Sequence, residues 1–233
     1  EWGTRVFDYS KNEVKSFLIS SAMYWVDEFH FDGLRVDAVA SMLYLDYGKQ
    51  PVIFFPNMYG GNENLDAIEF LKTMNKYIAK RGDGCFTIAE ESSGWFGVTA
   101  ADNDDPLMFT YKQNNCWTKD FLEFMGTDPL FRKGEYDKLT YGMLYNYGED
   151  FMLSLNHDDF REKAFVDMVS GSDEKAHLSD IKAALGFMYA HPGSKMFAAG
   201  QDAGLEKFMS ELNKFYAKNA ALYELDNDPD GFM

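Results

Sequence analysis

The fold class of this 233-residue chain is decided by residues 31–42, which read FDGLRVDAVASM. Asp32-Gly33 is a turn signal, and the apolar residues after it predict a short strand from Leu34 to Val39. Arg35 and Asp37 are two residues apart in that strand, so their side chains point to the same face. A neighbouring guanidinium favours the ionised carboxylate, which is the form that a carboxylate nucleophile needs.

On both sides of this strand, amphipathic helices alternate with short apolar strands. Ser10 and Glu13 form a capping-box pair that predicts a helix start, and apolar residues recur at helical spacing from there to Phe29. Further strands are predicted at residues 85–89, 107–111, 151–155 and 195–198, and further helices at about 62–82, 118–125, 178–191 and 205–216. This alternation predicts a parallel sheet, either doubly wound or a (β/α)8 barrel. No glycine-rich nucleotide motif follows any strand, which favours the barrel. Without repeats or linkers, residues 1–233 are expected to form a single domain.

The composition excludes several classes of protein. Lys and Arg number 22 and Asp and Glu number 38, which gives a formal charge of −16. Phosphate and anionic lipid repel such a chain, so the expected partner is neutral or cationic, with no nucleic acid and no membrane. No apolar run reaches the ~20 residues of a membrane helix, and no signal peptide is visible. Cys85 and Cys116 suggest neither disulfides nor zinc. We therefore expect a cytoplasmic protein without a metal.

One motif resembles a metal site. Asp226, Asp228 and Asp230 with Gly231 match the start of an EF-hand calcium loop. The Glu required at the twelfth position would fall beyond Met233. A polar turn that satisfies its own backbone is therefore favoured over calcium binding.

Acidic residues follow three of the predicted strands. Asp37 lies near the end of the first, Glu90 follows the second, and His157 and Asp158 follow the fourth. Parallel α/β folds place their active sites at these carboxyl ends. Retaining glycosidases use one carboxylate as nucleophile and a second carboxyl group as proton donor. Acids are also common in loops, so the pattern by itself leaves both interpretations open.

Residues 31–42 resemble the nucleophile region of bacterial 1,4-α-glucan branching enzymes, which belong to the α-amylase superfamily, glycoside hydrolase family 13. Four further stretches agree in order: EWGT at 1–4 with NEV at 12–14, GGNENL at 60–65, TIAEES at 87–92 and LDNDPDGF at 225–232. The resemblance covers essentially the whole chain. It implies an incomplete (β/α)8 TIM barrel with about strands four to eight, and it implies that strands one to three, the β-sandwich and the C-terminal β-domain of the family are absent.

The resemblance also implies roles. Asp37 would be the nucleophile, Glu90 the general acid/base and Asp158 the stabiliser of the transition state, while Arg35 would orient Asp37 and His157 would bind the sugar. The implied reaction cleaves an α-1,4-glucan such as amylose or glycogen with retention, through a glycosyl-Asp37 ester, and transfers the segment to a 6-hydroxyl without a cofactor. Four aromatic residues are candidates for sugar stacking, although core packing is the favoured interpretation of each: Trp95, Phe96, Tyr111 and Trp117.

Three departures from the family pattern concern the ends of the last two strands. Residues 156–159 read NHDD where the family usually has SHDE, residues 160–163 replace VVHGK, and residues 200–202 read GQD instead of GNE. Five strands cannot close a barrel, so the isolated chain is expected to be unstable or inactive. A non-catalytic glucan-binding remnant and a related α-glucan hydrolase remain as alternatives.

Overall fold

The computed structural model describes residues 5–48, 54–99, 104–201, 204–226 and 228. It divides the chain into two compact units, Glu1–Gln113 and Asn114–Met233. The first unit contains α1 (Asn12–Phe29), β1 (Gly33–Val36), α2 (Val39–Leu43), α3 (Leu65–Lys80), β2 (Phe86–Ala89) and β3 (Tyr111–Gln113). The second contains α4 (Asn115–Gly126), α5 (Asp137–Thr140), β4 (Phe151–Leu155), α6 (Phe165–Met168), α7 (Glu174–Ala190), β5 (Ser194–Phe197) and α8 (Glu206–Lys218).

Within each unit the strands run parallel. In the first unit β1 pairs with β2, with Arg35 opposite Ile88, and β2 pairs with β3, with Ala89 opposite Lys112. In the second unit β4 pairs with β5. Parallel strands joined through helices confirm the predicted α/β class, and they place the carboxyl ends of paired strands at one edge.

Each unit has its own apolar core. In the first, one face of α3 packs against α2 and the strands, and the buried residues include Val39, Leu43, Leu71 and Ala89. In the second, α4 and α7 cover the strands, and the buried residues include Phe121, Leu153, Leu155 and Leu185. These cores fix the positions of the strand ends.

The predicted strands at 85–89, 151–155 and 195–198 are confirmed to within one residue. The prediction for the first strand is wrong at its end, because Ala38 adopts a left-handed conformation with φ 49° and ψ 45°, and α2 begins at Val39. The third strand begins at Tyr111 and not at residue 107. Leu107 and Phe109 are buried, but they belong to a loop that bonds to residues 97–99.

The predicted capping box of α1 is also wrong. The Ser10 hydroxyl donates to Asp8 at 2.6 Å, and Lys11 precedes the helix without a side-chain cap. By contrast, Asn64 caps α3 by accepting from the Ala67 amide, so that this helix starts at Leu65 and not near residue 62. Short polar side chains bond equally well to turns and to helix ends, and sequence spacing cannot separate the two.

Among the described residues, no helix is long and apolar enough to cross a membrane, and no group of three or more His, Cys, Asp or Glu side chains is arranged to hold a metal ion. Asp226 of the calcium-like motif has other partners. Its Oδ2 accepts from the Gly193 amide at 2.8 Å and lies 3.6 Å from Lys195 Nζ. Asp230 and Gly231 lie outside the described residues, as do residues 1–4 of the first family stretch.

Candidate active site

The carboxyl end of β1 presents an ion pair. Arg35 Nη2 lies 2.8 Å from Asp37 Oδ1, as the spacing of these two residues predicts. The Arg35 side chain is only 18% exposed, whereas the Asp37 side chain is 72% exposed. A third residue completes the arrangement, because Arg35 Nε donates to Gln113 Oε1 at 2.9 Å. A half-buried cation therefore holds a carboxylate that faces solvent.

Glu90 lies at the adjacent strand end and is tied to the same turn. Its amide donates to Val36 O and its carbonyl accepts from Val39 N, both at 2.9 Å. Its side-chain Oε2 accepts from the Ala38 amide at 2.8 Å. The left-handed conformation of Ala38 costs an L residue about 1–2 kcal/mol, and it occurs where this amide meets Glu90. The structure thus brings Arg35, Asp37 and Glu90 together in the first unit.

Sequence reasoning missed Glu91, the neighbour of Glu90. Its side chain is fully buried, and Lys112 Nζ lies 3.0 Å from its Oε2. The Ser93 amide and hydroxyl both donate to Oε1, the amide at 2.6 Å. Lys112 also donates to Trp95 O at 3.2 Å. These contacts fasten the loop that follows Glu90 to β3. The only signal in the sequence was a second acid beside Glu90.

In the second unit, a tight turn follows β4 and presents His157 and Asp158. Asn156 Oδ1 accepts from the Asp158 amide at 2.7 Å, and Asn156 Nδ2 donates to Ser154 Oγ at 3.2 Å. Asn156 is one of the departures from the family pattern, and here it organises the turn. His157 is 75% exposed, and its Nε2 lies 3.5 Å from Asp158 Oδ1.

Two other departures also have structural partners. Arg161 Nη2 lies 2.5 Å from Asp158 Oδ1. Gln201 Oε1 accepts from the Phe165 amide at 2.9 Å and so anchors the start of α6. Asp202 lies outside the described residues.

The candidate stacking residues divide by burial. Trp117 is 2% exposed and stacks on Phe121 with ring centroids 4.6 Å apart, so it belongs to the core, which is the interpretation that the sequence favoured. Trp95 packs edge-on against Tyr44 beside the core of the first unit. Tyr111 is half-buried against Phe86. Phe96 is 66% exposed and is the candidate most accessible to a ligand.

The family model for the α-amylase catalytic domain matches residues 4–230. The chain therefore belongs to the α-amylase family, as the resemblance predicted.

Within that family, the chain is similar to branching enzymes. It is 41% identical over 257 aligned residues to a 1,4-alpha-glucan branching enzyme of Clostridium perfringens, with 99% of this chain and 39% of that protein covered. It is 40% identical to the branching enzyme of Cutibacterium acnes, with 100% and 40% covered, and 39% identical to that of Rubrobacter xylanophilus, with 100% and 36% covered. The chain thus spans about two fifths of the length of these curated relatives.

Solved structures of the family share the fold. An α-amylase from Geobacillus thermoleovorans, complexed with acarbose, matches with a TM-score of 0.58 at 15% identity, covering 93% of this chain and 47% of that one. A pullulanase from Paenibacillus barengoltzii matches with a TM-score of 0.58 at 15% identity, covering 91% and 37%. These matches confirm the predicted incomplete (β/α)8 barrel of five parallel strands.

Proposed function

We propose that this chain carries the catalytic residues of a 1,4-α-glucan branching enzyme. The observation that carries the proposal is the site of the first unit, an Arg35–Asp37 ion pair with Glu90 bonded to the next backbone amide, within a sequence similar to branching enzymes over its whole length. Two carboxyl groups at neighbouring strand ends are the groups that a retaining glycosidase mechanism needs.

In the first half-reaction, Asp37 attacks C1 of a glucosyl residue while the bond from C1 to the 4-oxygen breaks. Glu90 gives its proton to that oxygen, so the leaving chain departs with a neutral hydroxyl. The product is a glycosyl ester on Asp37. Arg35 holds the Asp37 carboxylate that begins this step in an ion pair.

In the second half-reaction, the 6-hydroxyl of another glucan residue attacks C1 of the ester. Glu90, now ionised, takes the hydroxyl proton, and the bond between C1 and Asp37 breaks. Asp37 returns as a carboxylate, and two inversions give net retention. The product is an α-1,6 branch.

Roles for Asp158 and His157 follow from their match to the family motif. Asp158 would stabilise the positive charge that develops at the sugar ring, and the exposed His157 would donate to a sugar hydroxyl. The expected substrate is a neutral α-1,4-glucan such as amylose or glycogen, in agreement with the net charge of −16. We place the enzyme in the cytoplasm, without a cofactor and without a nucleic acid or membrane partner.

The domain organisation of the chain is also part of the proposal. We expect residues 1–233 to be one part of a catalytic barrel, and the isolated chain to be unstable or inactive, because five strands leave a barrel open. Assays of function therefore use the complete product of the gene. Cooperative melting and branching activity of the isolated chain would contradict this expectation.

The test is incubation of the complete gene product with amylose. Branching lowers the absorbance of the iodine complex without new reducing ends, whereas an α-glucan hydrolase produces reducing ends in step with the loss of iodine colour. A glucan-binding remnant produces neither change. Asp37→Ala is expected to abolish turnover, while Asp83→Ala, at an exposed carboxylate that pairs with Arg81, serves as the matched control. Turnover by Asp37→Ala would remove Asp37 as the nucleophile.

A further inference from the structure

We infer that Gln113 is a positioning residue for the Asp37 nucleophile, acting through Arg35. This inference rests on the proposed function. Strand β3 carries no candidate catalytic acid, yet its last residue touches the cation of the site. Gln113 Oε1 accepts from Arg35 Nε at 2.9 Å, and Arg35 Nη2 donates to Asp37 Oδ1 at 2.8 Å.

The two bonds use a single edge of a planar group. Arg35 Nε and Nη2 donate side by side from the rigid guanidinium fork. Rotation of the guanidinium toward or away from one acceptor therefore moves it relative to the other. Gln113 fixes the plane of the group, and this plane sets the direction in which Nη2 meets Asp37.

The burial of the three side chains shows which one is the anchor. Gln113 is 4% exposed and is part of a strand, the Arg35 side chain is 18% exposed, and the Asp37 side chain is 72% exposed. An ion pair with an exposed partner is weakened by the entropy of ordering two long side chains. Because Arg35 is already ordered by a buried amide, only the short Asp37 side chain has to be ordered for the pair to form.

The acceptor at position 113 is an uncharged amide oxygen, and the lack of charge affects how Arg35 interacts with Asp37. A carboxylate there would compete with Asp37 for the charge of Arg35. An amide oxygen holds the guanidinium without sharing its charge. Gln113 thus orients Arg35 and leaves its electrostatic effect directed at Asp37.

The experiment compares two substitutions in the complete gene product. Gln113→Met keeps the approximate size of the side chain and removes the acceptor. It is expected to lower kcat on amylose about tenfold or more, with KM within twofold. Gln113→Glu restores an acceptor that orients Arg35, but its carboxylate competes with Asp37 for the charge of Arg35, so it is expected to recover kcat only in part.

A second readout follows the nucleophile directly. A 5-fluoro-α-glucosyl fluoride labels a carboxylate nucleophile, and mass spectrometry measures the rate at which the Asp37 peptide gains the sugar. This rate is expected to fall in Gln113→Met in proportion to kcat. Asn75→Leu is the control for loss of a buried amide, because Asn75 Nδ2 donates to a loop carbonyl, Leu107 O, at 2.8 Å and the residue lies outside the proposed site. This variant is expected to lose stability without a change in kcat or in the labelling rate.

The possible outcomes separate the inference from the proposed function. If Gln113→Met melts at a lower temperature but keeps the wild-type kcat and labelling rate, Gln113 is only a structural amide and the inference is overturned. If the wild-type protein neither acts on amylose nor is labelled, the proposed function fails and the inference fails with it.

Discussion

Arg161 Nη2 lies 2.5 Å from Asp158 Oδ1, within the turn that follows β4. The Arg161 side chain is 76% exposed, and exposed ion pairs of this kind contribute only about 0.2–1 kcal/mol. In the proposed mechanism Asp158 must turn to the sugar, so the pair has to open. We expect Arg161→Ala to lower KM for amylose by roughly 1.4- to 5-fold, the equivalent of that energy, with kcat unchanged.

Arg161→Lys retains the charge and is the control for this measurement. Added salt should reduce the difference between the wild-type protein and Arg161→Ala, because salt screens exposed pairs. A higher KM in Arg161→Ala would show instead that Arg161 orients Asp158 for the substrate.

The role of Glu90 as a proton donor predicts a dependence on the leaving group. Glu90→Gln can still accept from the Ala38 amide but cannot protonate the departing 4-oxygen. Turnover on amylose should fall by about 10²–10⁴-fold, the usual contribution of general acid–base catalysis. With an α-maltosyl fluoride, whose fluoride departs without protonation, ester formation on Asp37 should proceed at close to the wild-type rate.

Mass spectrometry of the quenched reaction measures this ester. It should accumulate in Glu90→Gln, because the second half-reaction also needs Glu90 as a base. Glu63→Gln, at a glutamate outside the proposed machinery that bonds to Asn57, is the matched control. If the fluoride and amylose rates fall equally in Glu90→Gln, Glu90 is not the proton donor.

The buried Glu91–Lys112 pair predicts a large effect on stability. Removal of one partner leaves an unpaired charge in the interior, which costs about 3–5 kcal/mol. Lys112→Met should therefore destabilise the first unit by this amount and free the loop after Glu90, since Lys112 also holds Trp95 O. Limited proteolysis within residues 91–99 and thermal unfolding measure the two effects.

The double variant Glu91→Gln with Lys112→Met tests the cause. It removes both charges, so it should be more stable than Lys112→Met alone. Equal destabilisation of the single and double variants would mean that the packing of the Lys112 chain, and not its charge, holds the loop.

The strand sequences predicted the fold class and three of the five strand positions well. The strand predictions failed where the backbone departs from regular strand geometry. Val39 is as apolar as a strand residue, but the left-handed conformation of Ala38 turns the chain after Asp37. The residue types at these positions do not predict this turn. Leu107 and Phe109 are buried in a loop, and a short apolar run does not distinguish a buried loop from a strand.

The candidate site was likewise predicted from the sequence only in part. The spacing of Arg35 and Asp37 predicted their ion pair, because Arg35 belongs to β1 and Asp37 directly follows that strand. Gln113, Glu91 and Lys112 were missed, since their partners lie on other strands and only the parallel register brings them together. Asn156 was noticed as a departure from the family, but its role in the turn after β4 depends on a local bond to the Asp158 amide.

Buried His191 predicts how the stability of the second unit depends on pH. Burial among Trp117, Phe187 and Lys195 lowers the pKa of His191 below its ordinary 6.5, although Asp226 and the bond to Pro192 O oppose this shift. The folded state therefore favours the neutral ring more than the unfolded state does. The contribution of neutral His191 to the free energy of unfolding is fully present above pH 6.5. It declines as the pH falls below 6.5 and is lost below the lowered pKa of His191.

Amide hydrogen exchange of peptides from α4 and β5, corrected for intrinsic exchange rates, measures this effect in the complete gene product. Protection should decrease between pH 7 and pH 5 in the wild-type protein. In His191→Gln the decrease should be smaller, because the unfolded state no longer gains a proton at this position. The carbon-bound Cε1 proton of His191 gives an independent check by NMR, since its chemical shift should titrate below 6.5. Titration at or above 6.5 with an unchanged exchange profile in His191→Gln would show that His191 does not limit the acid stability of this unit.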